Sequence, residues 1–244
     1  MSSFETRPMK RFYKTATVAP AAAGPGAGHA VRLDGRPVRT PSKAELAVPT
    51  EALAAAIAAE WNSQGETLRL ADMPLTQLAN TAIDRVGALR PQMIDELLRF
   101  AETELLCYRA GDDQPALRDR QLSAWQPLLD WARTRYDADL CITAGLMPVT
   151  QSAAALKALR LAVEQLDDWR LTALQAAAAA LGSLVLALAL LEGRLDAEGA
   201  FAAAYLDEAF QIEQWGEDAE AAARLARLRK DVADAAEFLS LVGS

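Results

Sequence analysis

Leu171–Leu191, LTALQAAAAALGSLVLALALL, is a run of twenty-one residues without a charge. A stretch this long and apolar must leave water, either across a membrane or at the centre of a bundle that closes around it. Its composition favours the bundle. The first half is alanine, a weak driver of insertion, and Gln175 lies within it. The flanks, Asp167-Asp168-Trp169-Arg170 and Glu192-Gly193-Arg194, put no cationic cluster on one side to set an orientation. One buried helix over 171–191 and no membrane insertion are therefore expected.

Helical patterning continues on both sides of that run. Ile94, Leu97, Leu98, Ala101 and Leu105 recur at helical spacing across 93–109. A helix containing Trp125 meets Pro127, which should kink it or start a new helix at Leu128. After a loop at 143–148, further helices are expected at 152–168, 196–214 and 217–240, with Gly193 and Gly216 as separators.

The first ninety residues read differently. Phe12–Val18 is aromatic and β-branched and suits a strand. Val31-Arg32-Leu33, Asp34-Gly35 and Arg36-Pro37-Val38 form a hairpin signal, with Val31 opposite Val38 and Pro37 confined to an edge. A short extended piece should follow at Ala47-Val48. Thr50 is an N-cap for a helix over 51–64 that ends at Gly65, with Leu53, Ile57 and Trp61 on its core face. Met73-Pro74 starts another helix, and Gly87 and Pro91 punctuate its end. The expected fold is α+β, with a small mixed α/β N-terminal domain over 1–88 and a larger all-α helical-bundle domain over 89–244.

Charge follows the same division. Residues 1–90 are net +3, whereas 91–244 are net −11, and the whole chain is −8. An acidic chain is a poor general binder of nucleic acid, whose phosphates need cations. The acidic helices would attract a basic partner face. Two cysteines thirty-four positions apart and a single histidine leave little for a zinc site, a haem site or a histidine-centred triad. Cys107, in the run Leu105-Leu106-Cys107-Tyr108, reads as a buried thiol in a reducing compartment. Gly24-Pro25-Gly26-Ala27-Gly28 lacks the Gly-Lys-Ser/Thr ending of a phosphate loop and precedes a strand, so it reads as a loop, with His29 an exposed bystander. Neither a metal nor a cofactor is expected. The opening residues Met1–Arg7 show no apolar stretch of the kind a secretory signal needs.

The acids of DEAFQIEQWGED, Asp207–Asp218, stand out because Phe210, Ile212 and Trp215 are interleaved with them. Paired carboxylates can act as general acid and base in an enclosed cleft, which makes a hydrolase using Glu213 and Glu217 the alternative function. A Trp among acids at a helix end is equally a docking surface, since aromatic anchors carry much of the energy of interfaces.

Several segments together carry a family pattern: RFYK at Arg11–Lys14, VRLDGRPVRTP at Val31–Pro41, AIAAEWNSQGE at Ala56–Glu66, MPLTQLANTAIDRV at Met73–Val86, ETELLCYRA at Glu102–Ala110, LGSLVLALALLEG at Leu181–Gly193 and DEAFQIEQWGED. In this order they resemble the assembly chaperones, the "ATP-twelve" family, that act on the alpha subunit of the F-type ATP synthase catalytic sector. The resemblance implies a small mixed domain followed by a helical one and no catalysis. It also implies a client, the unassembled alpha subunit, kept from aggregating until the beta subunit takes its place. It places the important carboxylate at Glu213, with Trp215 and Glu217 beside it, and so suggests a partner-binding set of Glu208, Glu213, Trp215, Glu217 and Asp218. Eukaryotic members carry a mitochondrial targeting extension and work in the matrix. Its apparent lack here implies a bacterial cytoplasmic member, expected to be monomeric.

Overall fold

The computed structural model describes residues 9–21, 28–145, 148–216 and 218–243. Most of the glycine loop and Glu217 therefore lie outside the described residues. The chain divides into two compact units, one formed by Met1–Ala88 with Ser240–Ser244, the other by Leu89–Leu239.

The first unit is built on an antiparallel sheet. Strand β2 (His29–Leu33) pairs with β1 (Ala16–Pro20), β3 (Arg36–Pro37) and β4 (Ala47–Val48). Asp34 and Gly35 both take positive φ, 47° and 79°, as a tight two-residue turn requires. The register pairs Arg32 with Pro37, and the Val38 amide bonds the Val31 carbonyl at 2.9 Å, as the hairpin pattern demands. β1 begins later than the β-branched run suggests. The Asp34 carboxylate takes the amides of Lys14 and Thr15, and the Arg11 guanidinium binds the carbonyls of Tyr13 and Lys14, so side chains hold this stretch in place of a ladder.

Helix α1 (Glu51–Ser63) starts where Thr50 Oγ1 accepts the Leu53 amide at 3.1 Å, and it buries Leu53, Ala54, Ile57 and Ala58. The Thr50 hydroxyl also donates to the Leu241 carbonyl, which ties the last residues of the chain into this unit. Trp61 is only half-buried, at the margin of the core, with its edge against Tyr13. His29, read as exposed, is half-buried in β2. Helix α2 (Pro74–Thr81) has Pro at its first position and takes its cap from another helix: Glu60 accepts the amides of Leu75 and Thr76 at 2.7 and 2.8 Å.

Gly87 and Pro91 do not end this run. A π turn over Ala82–Val86 leads directly into α3 (Gly87–Glu102), with Pro91 inside it. Met93, Ile94, Leu97, Leu98 and Ala101, buried after the proline, keep α3 helical despite the missing donor.

The second unit continues with α4 (Pro115–Tyr136), α5 (Ala153–Glu164), α6 (Asp168–Leu181), α7 (Leu184–Leu191), α8 (Ala197–Ala204), α9 (Leu206–Trp215) and α10 (Ala219–Val242). A short parallel pair, β5 (Tyr108–Arg109) with β6 (Thr143–Ala144), is its only strand pairing among the described residues. Pro127 does not restart α4. Leu117, Gln121 and Trp125 before it and Leu128, Leu129 and Ala132 after it are buried on one continuous face, and that burial outweighs the lost bond.

The uncharged run is two helices rather than one. Gly182, in the left-handed region at φ 67°, closes α6, and Ser183 Oγ accepts the Leu186 amide at 2.9 Å to start α7. Leu184 to Ala189 are at most 1% exposed. Broken this way, no helix among the described residues is long and apolar enough to cross a membrane. Glu104 seals the break. Its carboxylate is wholly buried, accepts the amides of Leu184 and Val185 at 3.1 and 3.2 Å, and receives the Ser183 hydroxyl. Burial pushes its pKa up to about 7, although each of those hydrogen bonds pulls it down. Cys107 is fully buried, as its apolar run suggests; burial pushes its thiol up to about 12, which leaves it unreactive.

Candidate functional site

Helix α9 is the one helix of eight or more residues in which no residue is buried, among those described. Tyr205, at φ −108° and ψ 26°, turns the chain out of α8, and Gly216, at φ 88°, stops α9 just after Trp215. Asp207 and Glu208 sit in the first turn, where the helix dipole favours acids. Its apolar side chains Leu206, Phe210 and Ile212 are only half-buried, and polar contacts fix α9 beside them.

Those contacts run to two neighbours. Toward α4, Gln121 Nε2 donates to Asp207 Oδ1 at 2.8 Å, and Arg120 Nη1 pairs with Glu213 at 2.8 Å. The same guanidinium lies over the Phe210 ring at 5.0 Å. Toward α10, Glu208 faces Arg224 at 3.7 Å. Glu208 and Glu213 are five positions apart, about 140° around a helix, so they leave α9 on different flanks. Behind α9, Gln121 is braced by Arg109, whose Nη1 donates to the Gln121 carbonyl at 2.7 Å while its guanidinium covers the Trp125 ring. Trp125 Nε1 reaches the Ala203 carbonyl at 2.8 Å. A rigid floor thus supports a polar, shallow helix.

The sequence-derived residues have different positions and jobs. Glu208 and Glu213 are both in ion pairs, and Trp215 is 82% exposed, the most exposed large hydrophobic side chain among the described residues. Asp218 Oδ2 accepts the Ala221 amide at 2.9 Å and so caps α10. Glu217 lies outside the described residues. Asp218→Ala should lower stability by about 1 kcal/mol and Asp218→Ser should restore it, since serine caps equally well; urea unfolding measures both. A full loss that serine fails to recover would show that the charge matters to the fold.

The geometry offers Glu213 no enclosed cleft. Its side chain is 52% exposed and its carboxylate is held by Arg120. No group of three or more potential metal ligands occurs among the described residues. Arg120, Gln121 and Arg224, which fix the helix, were not found by sequence reasoning. Arg120 and Glu213 are 93 positions apart, and nothing local in either segment announces the pairing.

Residues 10–133, just over half of the chain, match the family model described as ATP12 chaperone protein. Mitochondrial protein atp12 of Schizosaccharomyces pombe is 28% identical over 197 residues, covering 76% of this chain and 68% of that protein. Among solved structures, Atp12 from Paracoccus denitrificans superposes with a TM-score of 0.89 at 42% identity, over 96% of this chain and 99% of that one. A protein of Agrobacterium tumefaciens described as a candidate chaperone superposes at 0.88 and 40% identity, over 96% and 86%. The family match ends within α4, so α9 lies beyond the family model.

Proposed function

This chain belongs to the ATP12 chaperone family, and from that premise we propose that it is an assembly chaperone of the F-type ATP synthase that holds the unassembled alpha subunit until the beta subunit replaces it. A subunit awaiting its neighbour exposes the surface that the neighbour will cover, which is a recipe for aggregation. The chaperone needs no energy source of its own. Beta displaces it by binding the same face more tightly, through mass action.

The client-binding surface is α9 and the residues that follow it, with Glu208, Glu213 and Trp215 as its contacts and Glu217 and Asp218 next in sequence. The observation carrying this assignment is Trp215, a large aromatic side chain left 82% exposed at a helix end among acids. Interface anchors are typically aromatic, and the acidic surroundings suit a basic client face. A hydrolase built on Glu213 is not favoured, because its carboxylate is paired and open to solvent rather than enclosed with a partner acid. The place of work would be the bacterial cytoplasm or, for mitochondrial relatives, the matrix.

Mixing the purified chain with purified alpha subunit tests the assignment. Co-elution in a one-to-one complex and loss of light scattering from the alpha subunit are expected. Equal binding to an assembled alpha–beta hexamer, or no binding to free alpha, would overturn it.

A further inference from the structure

Three arginines around α8, α9 and α10 are each set against one acid and one aromatic ring. Arg229 of α10 meets Glu198 of α8, with the Phe201 ring 5.3 Å from its guanidinium. Arg120 of α4 meets Glu213 with the Phe210 ring at 5.0 Å, and Arg224 of α10 meets Glu208 with the Tyr205 ring at 6.0 Å. The three differ in how the acid is held. Arg229 grips Glu198 with two nitrogens: Nε lies 3.0 and 2.9 Å from the two carboxylate oxygens, and Nη2 also reaches Oε2. Two-nitrogen pairing is the strong form of an arginine–carboxylate contact. Arg120 offers Glu213 only Nη1, which straddles the two oxygens at 2.9 and 2.8 Å. Arg224 comes no nearer to Glu208 than 3.7 Å, beyond hydrogen-bonding distance.

The two loosely held acids are the two that carry the client contacts proposed above, and the firmly held one lies off α9. The four side chains of the loose pairs are each between 39% and 52% exposed, so water screens them and neither pair contributes much to the fold. Helix α9 has a separate tether. Gln121, almost wholly buried, donates to Asp207 at 2.8 Å, and Asp207 is not among the proposed client contacts. The helix therefore keeps its seat when the arginines let go, and each arginine has a ring on which its charge can rest.

We propose that Arg120 and Arg224 are placeholders: they occupy Glu213 and Glu208 in the free chain, and cationic side chains of the alpha subunit displace them. A client guanidinium would gain the two-nitrogen grip that neither placeholder has. This rests on the α9 client site proposed above and adds how that site is kept occupied until a client arrives. Because one cation replaces another, the net gain per contact is small, which suits a hold that the beta subunit must later break.

Arg120→Gln and Arg224→Gln each remove a placeholder and leave its acid in place. Titration with purified alpha subunit at physiological salt should show binding roughly two- to fivefold tighter for each, since the client no longer has to break an exposed ion pair. Arg133→Gln is the control. It takes the same charge from a pair with Asp130, thirteen residues and about 20 Å further along α4, well outside the roughly 8 Å over which salt leaves charges in contact, so binding should stay within about 1.5-fold. Melting temperatures should not change. Weaker or unchanged binding in both placeholder variants, with the wild type bound, would overturn the placeholder role and leave the α9 surface standing. An equal gain in all three variants overturns it too, as an effect of net charge alone. A wild-type chain that ignores the alpha subunit removes the client site and the placeholders together. If Arg120→Gln melts early, Arg120→Met, which keeps an unbranched stem on Phe210 without the charge, decides in its place: tighter binding supports the exchange and unchanged or weaker binding overturns it.

Discussion

Glu104→Ala should destabilise the chain by about 3–5 kcal/mol, the largest stability effect expected of any single substitution here. The alanine leaves the buried amides of Leu106, Leu184 and Val185 and the Ser183 hydroxyl without their acceptor, at the start of a helix whose first six residues are at most 1% exposed. It also opens a void where the side chain was, which adds to the loss. Glu104→Gln should cost far less, about 1 kcal/mol, because an amide oxygen can still accept from Leu184 and Val185. Denaturant unfolding at constant pH measures both.

The same carboxylate predicts how stability depends on pH. Its pKa is about 7 in the folded chain and near the ordinary 4.5 once unfolded, so the folded state holds the proton more tightly. Its stabilising contribution is complete below about pH 4.5 and is lost as pH rises through 7. By pH 8 the loss is about 3 kcal/mol or slightly more, taking about 1.4 kcal/mol per unit over the shift from 4.5 to about 7. The wild-type chain should therefore lose stability relative to Glu104→Gln between about pH 5 and 8. If the two curves run parallel across that window, Glu104 is ionised throughout and its four hydrogen bonds outweigh its burial.

Much of the fold is legible in local chemistry. Asp34-Gly35 announces a turn that needs positive φ, Thr50 is a cap in the right place, and Met73-Pro74 opens a helix. Punctuation by glycine and proline misleads where burial on one continuous face decides. Pro91 and Pro127 both sit inside helices, because the hydrophobic contacts on either side exceed the cost of one missing hydrogen bond. The break at Gly182 was the opposite case. An uncharged run reads as one helix, and only a long-range partner, Glu104, makes it favourable to expose and recap a helix end in the core.

The site was legible in part. Acids interleaved with aromatics flagged α9. What sequence could not supply was the scaffold, since Arg120, Gln121 and Arg224 meet α9 only through tertiary structure. It also could not separate a carboxylate that caps, such as Asp218, from one that is offered to a partner.

Trp215→Ala should weaken binding to the alpha subunit by about 30-fold or more while changing stability by less than about 0.5 kcal/mol. The ring is 82% exposed, so truncating it leaves no cavity and costs the free chain little. Glu213→Lys is expected to weaken binding by a similar factor, but its meaning depends on Arg120. Lysine there breaks the ion pair and sets two cations side by side, so it could act by loosening α9 rather than by meeting the client. The double variant Arg120→Glu with Glu213→Lys rebuilds the pair with reversed polarity. If Glu213 only positions α9, the swap restores binding. If its charge faces the client, binding stays weak although the melting temperature recovers. Persistent weakness in the swapped chain is the expected result, because the side chain of Glu213 remains half exposed beside Arg120 and can accept a second cation. Full recovery would reassign Glu213 to the scaffold and leave Trp215 as the anchor.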